Sequence, residues 1–184
     1  MTVVLIIILV LIVLAVVFVI VTYNGLISSR NRVENSWSQI DVQLKRRLDL
    51  IPNLVETVKG YAAHERQTLE AVVTARNQAI AAKGPHEEAQ ADNVLSGALR
   101  QLFALSEAYP DLKANQNFSE LQEELTATEG RVAYARQFYN DAVLKYNNKI
   151  QQFPGVLLAG PMKFSQREYF EAEEGAREVP KVQF

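Results

Sequence analysis

No cysteine occurs in the 184 residues, which removes disulfides, thiolate nucleophiles, lipid-modified cysteine and thiolate metal sites in one step. Histidine is scarce as well. There are two, His64 and His86, and His64-Glu65-Arg66-Gln67-Thr68 lacks the second histidine that zinc coordination by H-E-x-x-H requires; both read as exposed residues at helix ends. An excess of one charge is missing too: 19 Lys plus Arg stand against 21 Asp plus Glu. Without a basic field to engage phosphates, nucleic acid is not an expected partner. No G-x-x-x-x-G-K-[ST], G-x-S-x-G or G-x-G-x-x-G occurs, so neither a phosphate cradle nor a nucleophile elbow has support. No cofactor and no metal is expected. Lacking a convergent nucleophile, base and orienting group, the chain is not expected to be an enzyme.

What is present begins with Val3 to Thr22, VVLIIILVLIVLAVVFVIVT. As a helix, about 20 apolar residues rise roughly 30 Å, the thickness of a bilayer's hydrocarbon core. A cleaved signal peptide needs a basic start, a shorter apolar core and small residues at the cleavage site, and Phe18-Val19-Ile20-Val21 offers no such site. The segment reads as a transmembrane helix. Arg30 and Arg32 follow it, which by the positive-inside rule leans toward a cytoplasmic domain.

From Val33 the apolar positions run Val33, Trp37, Ile40, Leu44, Leu48, Ile51, Val55, Val58 and Ala62, in the steps of three and four that mark one long amphipathic helix. No Gly/Pro cluster separates this run from the apolar segment, so the two are expected to form one helix. Pro52 lacks an amide hydrogen and should kink it near Leu48 or start a new helix after Leu50, and the apolar phase that continues across it favours the kink. A second amphipathic helix, with Leu69, Val72, Val73, Arg76 and Ile80 at helical spacing, is expected over residues 64–82. A third should open at Pro85 with Glu87 and Glu88 near its positive end, carry Ala91, Leu95, Ala98, Leu102, Leu105 and Tyr109 on its seam, and close at Pro110. Ser119-Glu120-Leu121-Gln122 has capping-box spacing. The fourth helix would then run to Phe153, with Leu121, Leu125, Thr128, Val132, Ala135, Tyr139, Ala142, Tyr146, Ile150 and Phe153 on one face. Short connections make neighbours antiparallel. The expected fold is therefore all-α: residues 1–22 a transmembrane anchor, 23–153 an antiparallel bundle of about four long helices, and 154–184 a membrane-proximal segment and tail. Within that last part Val156, Leu157, Leu158 and Met162 either touch the bilayer interface or cap the bundle's open end. The final residues, with Glu171, Glu173, Glu174 and Glu178 near Arg167, Arg177 and Lys181, form a solvated tail or a strap.

Three groups of residues are candidates for something beyond packing. Arg46, Arg47, Asp49, Pro52 and Asn53 combine charge with a kink whose freed carbonyls need partners, and so form a candidate interaction patch. Asn140 and Asn147, seven apart, together with Trp37, are candidate register or oligomer contacts, because a buried Asn demands a partner. The membrane-interface candidates are the four apolar residues just named.

Tyr23-Asn24, Trp37, the run Arg46-Arg47-Leu48-Asp49-Leu50-Ile51-Pro52-Asn53-Leu54-Val55, and Val58-Lys59-Gly60-Tyr61-Ala62 together resemble the LemA family. The likeness continues through Tyr146-Asn147, Phe153-Pro154, Arg167-Glu168-Tyr169-Phe170 and Val179-Pro180. It implies a membrane-associated, mostly antiparallel helical bundle in bacteria, and supplies architecture more than mechanism. Some relatives carry a lipid-attachment cysteine just before the Tyr-Asn pair, where this chain has Thr22; that implies an extracytoplasmic domain, against the reading of Arg30 and Arg32, and the extracytoplasmic side is taken as the expectation. The resulting functional expectation is a homo-oligomeric scaffold or adaptor at the bacterial membrane, whose partners are the lipid bilayer, copies of itself and other membrane proteins. The alternative is a transmembrane sensing receptor with a ligand-binding bundle, against which counts the presence of only Met1 and Thr2 beyond the span.

Overall fold

The computed structural model describes residues 1–170, and every regular element among them is helical. In chain order these are α1 (Thr2–Lys59), α2 (Arg66–Ala81), α3 (Gly84–Ser106), α4 (Pro110–Lys113), α5 (Gln116–Gln151) and α6 (Gly155–Ala159). The all-α architecture with a long apolar N-terminal helix is as expected. The acidic tail residues Glu171, Glu173, Glu174 and Glu178, with Arg177 and Lys181, lie outside the described residues, as do Val179 and Pro180.

Continuity of α1 follows from what the sequence omits. Nothing between Val21 and Val33 breaks a helix, and Ser29, Ser36 and Ser38 each turn their hydroxyls back onto the carbonyl four residues earlier, at 3.0, 2.8 and 3.1 Å, instead of competing for the backbone. Pro52 lies inside the helix without ending it. The missing bond at Pro52 leaves the Leu48 carbonyl without its helical donor. Arg76 of α2 supplies one, its Nε donating to the Leu48 oxygen at 3.0 Å.

Two helix ends depart from the sequence expectation, whereas the start of α3 agrees with it. α3 starts where Gly84 adopts φ 82, a region open to glycine. Glu87 and Glu88 then accept from the amides of Lys83 (2.9 Å) and Gly84 (3.2 Å), satisfying orphan donors as the sequence suggested. The helix stops at Ser106, so Tyr109 falls in a turn and Pro110 opens the short α4 rather than closing α3. The capping box at Ser119 is corrected as well. Asn115 Oδ1 accepts from the amide of Phe118 at 2.9 Å, the bond that defines an N-cap, and α5 begins at Gln116. A single asparagine side chain does the work the Ser-x-x-Gln spacing imitated.

The chain divides into two compact units. The first joins Met1–Ser38 with Phe138–Glu168, so that α1 and α5 lie antiparallel within it: Phe18 meets Phe153 and Trp37 meets Tyr139. The second joins Gln39–Gln137 with Tyr169 and Phe170. Its core gathers Ile51, Leu54, Val55 and Val58 of α1, Leu69 and Val72 of α2, Leu95, Leu99 and Leu102 of α3, Leu112 of α4, and Phe118 and Leu125 of α5. The seam read for α5 is buried from Leu125 to Ile150, while Phe153 is exposed.

Candidate functional site

In the first unit none of the apolar side chains from Val3 to Val21 is buried. An uninterrupted apolar helical surface of this length has hydrocarbon as its compatible solvent. Where this span ends, α5 and the segment after it close around α1. Lys149 Nζ donates to the Gly25 carbonyl at 2.7 Å and contacts Ser29 Oγ at 3.2 Å. Phe164 packs edge-on against Tyr23, centroids 5.9 Å apart, and the Arg30 guanidinium lies 5.7 Å over the Phe164 ring, a cation–π arrangement. Gly155 has no room for a Cβ, which would run into the Lys149 carbonyl and the Leu26 side chain.

Beyond Phe164 the chain is strapped to α5 through its backbone. Asn147 Nδ2 donates to the Arg167 carbonyl and its Oδ1 accepts from the Arg167 amide, both at 2.9 Å. Tyr139 donates to the Glu168 carbonyl at 2.8 Å, and Arg167 Nη2 reaches Glu34 at 3.1 Å. Burial pushes the Tyr139 hydroxyl up to about 12, the nearby Arg167 opposing it and Glu168 adding to it; burial raises Tyr146 as well. Asn147 was expected to set register or oligomeric state. Within the chain its amide pairs in both directions with the backbone of Arg167, which fixes that segment's position on α5. Trp37 likewise packs on Tyr139, centroids 5.3 Å apart, and Asn140 is half-buried on the same helix.

In the second unit the candidate patch separates. Arg46, Asp49, Pro52 and Asn53 are exposed, but Arg47 is buried, with 1% of its surface accessible. Its Nη1 donates to Asp92 Oδ1 at 2.6 Å and its Nη2 lies 3.4 Å from Glu129, while Nε has no partner. Arg46 meets Glu124 at 2.6 Å. Arg47 therefore belongs to no surface patch: the helix turns it inward, and a buried guanidinium survives there because carboxylates face it. Asp92 is raised above the usual carboxylate range, burial outweighing the pull of Arg47.

Beside this pair lies a cleft of about 280 Å³, lined by Asp41, Lys45, Asp49, Arg76, Glu88 and Asp92 over an apolar wall of Leu44, Leu48, Ile80 and Leu95. Glu88 is also raised, chiefly by burial, with the Gly84 amide opposing and Asp41 contributing. The acidic partners Asp92 and Glu129 are not among the residues that the sequence marks out. Arg47 stands seven residues from Ile40 and seven from Leu54, both buried, so the inward position runs against its place in the expected patch while agreeing with helical spacing. Arg76 shares the helical spacing of Leu69, Val72 and Ile80, but that spacing does not name Leu48 as its partner.

One candidate span among the described residues, continuing into a helical bundle, fits a membrane-associated helical protein. The LemA family model matches residues 36–184. The chain belongs to the LemA family. Among similar proteins, magnetosome protein MamQ 2 of Paramagnetospirillum magneticum is 27% identical over an alignment covering 86% of this chain and 67% of the relative. Protein LemA of Metamycoplasma hominis is 26% identical, with 82% and 69% covered. Magnetosome protein MamQ of Magnetospirillum gryphiswaldense is 25% identical, with 86% and 67% covered.

Proposed function

We propose that this protein is a non-catalytic scaffold or adaptor at the bacterial membrane, assembled from copies of itself and able to engage other membrane proteins. The observation that carries the reading is the continuity of α1: the same helix supplies an exposed apolar span at Val3–Val21 and core residues at Ile51–Val58. Such a helix holds the bundle at the bilayer and concentrates copies in two dimensions, where weak helix-to-helix contacts gain avidity. Outward apolar side chains at Val42, Ile80 and Val94 suit contacts of that kind. In this reading the soluble part faces the extracytoplasmic side, an orientation that the family resemblance supports. Mass measurement of the full chain in mild detergent and in lipid nanodiscs tests the assembly: discrete oligomers are expected, and a particle that stays monomeric at every protein-to-lipid ratio overturns it. A reporter fused after Phe184 tests the orientation, which fails if only a cytoplasmic reporter is active.

The charged cleft favours a second reading, a sensing module. Two carboxylates raised by burial in one cleft, beside Lys45 and Arg76, is an arrangement that binding sites use. A small molecule that raises the melting temperature of the wild type, but not of Asp41→Asn, would favour this alternative.

A further inference from the structure

We propose that α6 and its flanks, Phe153 to Met162, are a second lipid-inserted element, seated in the leaflet where the α1 span ends. The inference rests on the anchored reading of α1. These ten residues contain no charged or polar side chain. Gly155 and Ala159 face inward, whereas Phe153 is 73% exposed and Leu157 58%. The lipid, rather than another protein, is the occupant because this apolar surface is continuous with the span. The Phe153 ring lies 6.1 Å from that of Phe18, and Phe18 stands four residues, roughly 6 Å, inside the end of the apolar segment. A side chain in contact with Phe18 shares its depth. The segment is also pinned there: Gly155 sits against Leu26 and the Lys149 carbonyl, and Phe164 against Tyr23. With only five residues α6 cannot span, so it occupies one leaflet, as a short interfacial helix does.

The absence of cysteine makes any introduced thiol unique. Full-length Leu157→Cys, Leu11→Cys and Asp141→Cys proteins, each carrying a nitroxide label, are reconstituted in phosphatidylglycerol/phosphatidylcholine vesicles. Collision with oxygen, which concentrates among acyl chains, is compared with collision with a polar nickel chelate. Labels at residues 157 and 11 are expected to favour oxygen, and the label at exposed Asp141 to favour nickel. If residue 157 favours nickel while residue 11 favours oxygen, the inference is overturned and the anchor stands; if both favour nickel, the anchored reading falls as well. Protection of residue 157 from both reagents, relieved on dilution with lipid, places a second copy on α6 and also overturns the inference.

Discussion

The two units are held together by different chemistry. The first relies on aromatic pairs and on polar side chains that grip backbone: Lys149 on Gly25, Asn147 on Arg167, Tyr139 on Glu168. The second has a mainly aliphatic core drawn from five helices, with Phe103 paired on Phe118, and, against it, a buried Arg47–Asp92 pair. A unit built mainly from two helices and an irregular segment has few facing apolar layers, and an irregular segment leaves backbone groups that need partners. Side-chain amides and hydroxyls meet that need. Where several helices converge, aliphatic packing dominates, and a charge can be enclosed only with its counter-charge.

The sharpest way to break this contrast is at Asp92. Asp92→Ala leaves Arg47 buried with only the longer Glu129 contact, and is expected to destabilise the protein by roughly 3–5 kcal/mol in denaturant titration. Replacing both Arg47 and Asp92 with leucine should recover most of that loss, since apolar residues of similar volume often match a buried pair.

In the first unit the corresponding test is Asn147→Ala. Two bonds to Arg167 disappear and its backbone groups are left unpaired, a loss of roughly 1–3 kcal/mol. Faster amide exchange should appear at Arg167 and Glu168 before any change in the second unit's core.

Arg76→Ala should cost roughly 1 kcal/mol through the orphaned Leu48 carbonyl. Pro52→Ala restores an amide donor for that carbonyl, so in the Pro52→Ala background the Arg76→Ala loss is expected to shrink. Additive losses in this double-mutant cycle would show that Arg76 acts elsewhere.

The smallest effect at neutral pH is Tyr139→Phe, whose signature is alkaline. With the folded value raised to about 12 from the ordinary 10.0, the unfolded state loses its proton first. The tyrosine's contribution is therefore complete below pH 10 and disappears as pH rises toward 12. Thermal melts across that range should show wild-type stability falling more steeply than that of Tyr139→Phe.

Much of this was visible in the sequence wherever periodicity and burial coincide. Val33, Ile40, Ile51, Val55 and Val58 were read as a seam from their spacing and are buried; the same holds for α5 from Leu125 to Ile150. Helix ends were less legible, because Asn115 and Ser119 both carry capping chemistry and only the path of the chain selects one. Arg47 was read as surface because arginine usually is. Its inward position depends on Asp92, forty-five residues away.

By itself, then, the sequence determined the anchor and the helical class: an uncharged apolar run of bilayer length and repeats of three and four are local properties, read over one helix at a time. The tertiary structure decided where the polar groups go. Whether Arg76 reaches Leu48, Arg47 meets Asp92 or Asn147 holds Arg167 depends on which helix faces bring distant residues within hydrogen-bond reach, and a bond that closes over roughly 3 Å leaves no periodic mark on the chain.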